Sequence, residues 1–196
     1  MKSGKQEPEL FCPESREEWR EWLHFNHELK QFVWLVYYKK KAGKKTLKWT
    51  EAVDEALCYG WIDSISKPID NEKYMQFFSK RKANSTWSKI NKDKIERLHF
   101  SGLIAPAGLK CIEIAKQNGS WQILDEVENL IIPADLASAL ATAPDAEAYF
   151  SRLSKSVTKA ILQWIVLARR PETRSNRIAA VLQFTTDKNV PKQFRP

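Results

Sequence analysis

The sequence contains none of the strings that announce a familiar chemistry. GxGxxG, the Walker A loop, the GxSxG elbow and the kinase signatures are all absent, so no dinucleotide cradle, phosphate loop or activated serine can be placed on it. HExxH is absent too, and histidine is limited to His24, His27 and His99. His24 and His27 are three apart on one predicted helix, too little for a metal without carboxylate or cysteine company. No catalytic residue, no metal and no other cofactor is therefore expected. Cysteine is scarce: Cys12, Cys58 and Cys111 lie far apart with no CxxC pairing. Such an odd, scattered set argues against a disulfide framework and a structural zinc site, and fits the reducing cytoplasm, the compartment expected here. No run of 18 apolar residues occurs, which excludes a helical membrane span. Residues 1–9 are polar, carry Pro8, and read as a loose tail rather than the apolar stretch of a signal peptide.

What is present is an ordinary globular balance, 43% hydrophobic and 29% charged, with enough apolar side chains for a core without disulfide or metal staples. The 196 residues suffice for one domain or two small ones. Eight tryptophans bring large buried areas, each with an indole N–H that needs an acceptor. The net charge is +8, from 32 basic and 24 acidic residues. That excess favours nucleic acid, nucleotides or anionic metabolites as partners, and it is equally compatible with a merely solubilising lysine surface.

Along the chain, Ser15-Arg16-Glu17-Glu18 is a capping box opening an amphipathic helix over residues 15–29, with Trp19, Trp22, Leu23 and Leu29 at helical spacing. Phe32 to Tyr38 is aromatic and β-branched, a buried strand. The lysine run Lys39 to Lys45 is a solvated loop. Thr50 is placed to cap a helix with Ala52, Val53, Ala56 and Leu57 inward, closed by Gly60. Trp61–Ile69 and Tyr74–Lys80 form a hairpin around Asp70-Asn71, and Pro68 puts the first of them near a sheet edge. Beyond residue 82 only helices are predicted: over 88–99, from Pro106 to Asn118-Gly119, from Pro133, from Pro144, from Ser154 towards Pro171, and from Thr173. The fold class is thus α+β, a small antiparallel sheet with packed helices followed by an all-helical C-terminal part. The division falls at Pro133, giving domains 10–132 and 133–196.

Three constellations carry candidate chemistry. In Leu57-Cys58-Tyr59-Gly60-Trp61-Ile62-Asp63-Ser64, strand alternation puts Asp63 on the face of Trp61. A carboxylate on an apolar face either orients a ligand or moves protons, or it accepts from a backbone N–H or a tryptophan indole inside the fold. Cys58, beside alanine and leucine, belongs to the core. The second constellation runs from Ser79 to Asn91. Residues 80–97 hold seven basic side chains against two acidic ones, where a strand hands over to a helix N-terminus. Free amides and the helix dipole attract phosphate or carboxylate there; Arg81 and Lys82 add charge, Ser85, Ser88 and Asn91 polar groups, and Trp87 a stacking surface. The alternative makes Ser85 or Ser88 an ordinary cap, Trp87 core, and the lysines a wet surface. In the third, Arg174 and Arg177 share a helical face just after a helix start, where cations oppose the dipole unless an anion or an acidic side chain compensates. A helix-turn-helix is disfavoured by the proline in the turn.

The strings Trp19-Arg20-Glu21-Trp22-Leu23, Val33-Trp34-Leu35, Glu51-Ala52-Val53-Asp54-Glu55-Ala56-Leu57-Cys58-Tyr59-Gly60-Trp61-Ile62-Asp63 and Ser85-Thr86-Trp87-Ser88-Lys89-Ile90-Asn91 together resemble the YdeI/OmpD-associated (bacteriocin-protection) family. The tail, with Ala168-Arg169-Arg170-Pro171-Glu172-Thr173-Arg174 and Arg177-Ile178, resembles that family's C-terminal helical module. Ile104 departs from the methionine expected there. The resemblance implies a bacterial cytoplasmic protein linked to bacteriocin protection or envelope stress; it names no reaction and supplies no catalytic residue. The expected function is a non-enzymatic module that binds an anionic ligand, nucleotide or nucleic acid through Arg81, Lys82, Ser85, Trp87, Ser88 and Asn91, with Arg174 and Arg177 as a second surface. The alternatives are a small-molecule enzyme with a pocket near Trp61 and Asp63, and an adaptor for a protein partner.

Overall fold

A computed structural model describes residues 9–195; the polar tail expected at the start lies, apart from Glu9, outside the described residues. Helix α1 (Arg16–Asn26) starts as its capping residues dictate, the Ser15 hydroxyl accepting the Glu18 N–H at 3.2 Å. It stops short of Leu29, which is 77% exposed and has nothing to bury it. Helix α2 (Trp49–Cys58) begins one residue before Thr50, with Lys48 as its cap and the Glu51 carboxylate accepting the Lys48 N–H at 3.4 Å. Gly60, at φ +72, then turns the chain into strand β3 in a left-handed conformation that glycine adopts freely.

The sheet is four-stranded, in the order β1 (Leu10–Phe11), β2 (Phe32–Tyr38), β4 (Lys73–Lys80), β3 (Trp61–Pro68). Pairing of β2 with β4 and of β4 with β3 is antiparallel, whereas the two-residue β1 runs parallel to β2. The sheet is therefore mixed rather than purely antiparallel. The hairpin turn is held by Asp70, whose Oδ1 accepts from the N–H groups of Glu72 and Lys73 at 2.7 Å each; Pro68 does lie on an edge strand.

One sheet face, with Val33, Leu35, Tyr37, Trp61 and Phe78, shares a core with Trp19 and Leu23 of α1 and Ala52, Val53, Ala56 and Leu57 of α2. Each fully buried large side chain contributes about 1.5–3 kcal/mol, and Trp19 keeps that contribution because its indole donates to the Ala52 carbonyl at 3.0 Å. Two carboxylates of α2 are buried and tie neighbouring helices to it. Glu55, 1% exposed, accepts from Arg16 and from Arg20 of α1; Asp54 accepts from Lys94 and Arg97 of α3 (Lys89–Phe100). Burial works to raise the Asp54 carboxyl, and the bonds from Lys94 and Arg97 outweigh it and hold the group below the usual aspartate range. Helix α4 (Pro106–Gln117) crosses α2 so closely that a Cβ on Gly108 would sit 2.2 Å from the Cys58 carbonyl oxygen.

The chain divides into two compact units between Trp121 and Gln122, earlier than the Pro133 boundary. The reason is a short helix, α5 (Asp125–Glu128): Leu124 and Val127 are buried in the core of the second unit. That unit is wholly helical among the described residues, with α6 (Ala134–Ala141), α7 (Pro144–Phe150), α8 (Lys155–Val166) and α9 (Pro171–Thr186) around Leu136, Leu140, Phe150, Ile161, Leu162, Ile165 and Val181. Helix α9 starts at Pro171 rather than behind a Thr173 cap, because the fixed φ of proline suits a first helical turn whose N–H is unused anyway. No helix among the described residues is long and apolar enough to cross a membrane.

Candidate functional site

Where β4 ends, the Arg81 N–H donates to the Gly60 carbonyl at 2.9 Å, so the strand end is pinned beside the α2–β3 turn. The chain then makes a turn in which the Ser85 N–H donates to the Lys82 carbonyl at 2.9 Å. The carbonyl of Ala83 accepts from Asn118 Nδ2 at 2.9 Å and Ser120 Oγ at 3.2 Å, which fastens this loop to the end of α4. Trp87 enters the core, 1% exposed, with its ring 4.9 Å from that of Trp121. Ser88 caps α3, its hydroxyl accepting the Asn91 N–H at 3.3 Å.

This loop, the Gly60 turn, the end of α1 and the first turns of α4 enclose a cleft of about 500 Å³. Gly60 and Trp61 lie on its inner side, with His27 and Glu28 on one wall and Pro106, Ala107, Lys110 and Cys111 on another. The missing side chain at Gly60 lets α4 pack closely there, since a Cβ would stand 3.1 Å from Cys111 Cβ and 3.2 Å from the Ala107 carbonyl oxygen. His27 is held by its Nδ1 contact to the Leu23 carbonyl at 2.8 Å and lies against Tyr59. Lys80 donates to the Glu28 carbonyl at 2.8 Å.

Arg81 lines the same cleft. Its guanidinium lies over the Trp87 ring, 3.7 Å from the centroid, and Nη2 donates to the Thr86 carbonyl. Its other two nitrogens, Nε and Nη1, are buried and meet no acceptor. Burial pushes the group down to about 10, with Cys111 and Asp63 opposing that only in part. Arg81 therefore stays cationic at neutral pH. Burial also raises the Cys111 thiol, and Arg81 pulls it partly back. A buried guanidinium with unanswered N–H groups is expensive, by about 1–3 kcal/mol for each donor left without a partner.

The structure brings Arg81, Thr86 and Trp87 into direct contact and sets Ser85, Ser88 and Asn91 next in the loop and cap, while Lys82 is exposed. Trp61 lines the cleft, its indole donating to the His27 carbonyl at 3.3 Å. Asp63 does not line it: its Oδ2 accepts from Trp49 Nε1 at 2.9 Å and Gln76 Nε2 at 3.1 Å. Arg174 and Arg177 belong to the second unit, where Arg174 grips Asp135 through Nε and Nη2 at 2.6 and 2.9 Å, and Arg177 donates to the Trp164 carbonyl and lies over its ring. His27, Lys110 and Cys111, isolated residues in the sequence, join the site only because α1, α2 and α4 meet there. The one local hint was a glycine, Gly108, inside a helix, which marks a close helix crossing.

Residues 11–111 match the family model of a domain of unknown function, DUF8412. Residues 129–185 match the model described as Bacteriocin-protection, YdeI or OmpD-Associated. No curated protein and no solved structure matches the chain.

Proposed function

We propose, for a chain that belongs to the DUF8412 family over residues 11–111 and carries a YdeI/OmpD-associated module over residues 129–185, that the first unit binds a small organic anion in the Arg81 cleft. Its role is recognition rather than turnover, in a protein serving bacteriocin protection or envelope stress. The observation that carries this reading is the pair of buried, acceptor-less donors on Arg81. The cleft's volume falls in the range of small-molecule sites, roughly 300–1,000 Å³, and its lining mixes apolar surface with cations. A nucleic acid strand would call for a longer cationic track. Cys12, Cys58 and Cys111 are all unpaired, which supports work in the cytoplasm.

An enzyme centred on Asp63 finds less support, because that carboxylate is already engaged by Trp49 and Gln76. The test is a thermal-shift series with small phosphates, sulfates and carboxylates on the full chain and on Arg81→Gln. Anions are expected to raise the parent's midpoint, less at high salt, and to leave the variant unmoved. Equal shifts in both proteins would sink the reading.

A further inference from the structure

Resting on the anion-binding reading of the Arg81 cleft, we propose that its ligand is a phosphate monoester, with the dianionic phosphate between Arg81 and the first turn of α4 and the organic part against Ile114, the exposed apolar side chain of the cleft. Charge is the first reason. The fixed charges on the cleft are the cations Lys80, Arg81 and Lys110 and the single carboxylate Glu28. A carboxylate or sulfate ester, with one negative charge, leaves that wall positive; a monoester dianion balances it.

The α4 wall is the second reason. Its cap position is Ala105, which offers no side-chain acceptor, and Pro106 and Ala107 of the first turn face the cleft. The positive end of a 12-residue helix is thus left without a capping side chain on the cleft that Arg81 also lines. Phosphate oxygens are the usual occupants of such a combination. Size is the third. Inorganic phosphate alone would leave most of the roughly 500 Å³ unfilled, and the apolar lining favours a ligand with a carbon skeleton.

Calorimetric titration of the full chain with phenyl phosphate, phenyl sulfate and benzoate, at about pH 7.5 where the monoester is dianionic, separates the possibilities. Phenyl phosphate is expected to bind about tenfold more tightly than phenyl sulfate, the same shape with one charge fewer. Lys110→Glu, an exposed change that spares the core, should erase most of that advantage. Sulfate or benzoate binding as tightly as phosphate overturns the monoester while leaving an anion-binding cleft. If none of the three binds, the cleft reading itself falls, and the monoester with it.

Discussion

Two basic stretches that look alike in the sequence, one around Arg81 and one around Arg174 and Arg177, are opposites in the fold. In the second unit Arg174 meets both oxygens of Asp135, and Arg177 is spent on the carbonyl and ring of Trp164. In the first unit Arg16 and Arg20 are answered by Glu55 and Arg97 by Asp54, yet Arg81 has one carbonyl, one aromatic ring and no carboxylate. Cationic density is therefore a poor guide to a binding site, since most of these charges are cancelled by partners far away in sequence. A buried cation left uncancelled is the better guide, because folding tolerates its cost only where something else compensates.

The sharpest way to break this comparison is to turn an answered arginine into an unanswered one. Glu55→Gln removes the charge that Arg16 and Arg20 share at a site 1% exposed. Both arginines are about one-third exposed, so the expected loss is about 2–3 kcal/mol rather than the full 3–5 for a wholly buried pair. Urea unfolding followed by tryptophan fluorescence reads it, because every tryptophan but Trp164 lies before the unit boundary. A loss under about 1 kcal/mol would mean the pairing is ornamental. Next in size, Arg81→Met exchanges the unanswered cation for an apolar side chain of similar length. Anion affinity should fall at least about tenfold while the ligand-free first unit gains about 1–2 kcal/mol, the relief of unpaired donors exceeding the lost stacking on Trp87. A stability loss instead would make Arg81 a structural residue and remove its claim to a ligand.

Much of the fold was legible because its signals are local. The Ser15, Ser88 and Ser154 caps, the Asp70-Asn71 hairpin and the prolines at helix starts all act within a few residues, and the structure keeps them. The parallel β1 strand was not, since two residues, Leu10 and Phe11, carry no periodicity and pair only because β2 offers a free edge. The unit boundary was displaced because Leu124 and Val127 give their allegiance to distant helices, and no neighbouring residue records that. Of the site, Arg81 and Trp61 could be picked out as a cation and an aromatic beside turns. That Asp63 accepts from a tryptophan indole was among the readings open in the sequence; which tryptophan, and that Gln76 joins it, could not be read, nor that Lys110 and Cys111 stand across the cleft, for those relations are made by packing.

The smaller effects belong to the answered side of the comparison. Arg174→Met deletes a two-point contact with Asp135, whose side chain is 45% exposed. The expected cost is at most about 1 kcal/mol, and phosphate or sulfate binding in the first unit should not change. Far-UV circular dichroism of the helices reads this better than fluorescence, Trp164 being the second unit's sole tryptophan. Smaller still is the acid dependence of the same pair. The hydrogen bonds from Arg174, set against a lesser burial effect, hold the Asp135 carboxyl below its ordinary value. A depressed carboxyl contributes stability that is complete above the unfolded pKa, roughly 3.9, and is lost as pH falls through the lower folded value. Exposure limits that contribution to a few tenths of a kcal/mol. Parent and Arg174→Met should therefore differ most above about pH 5 and draw together towards pH 2, where the carboxyl is protonated in both. A gap that stays constant over that range would show that Arg174 stabilises α9 through its contact with the Ile165 carbonyl, and that its charge is not what Asp135 answers.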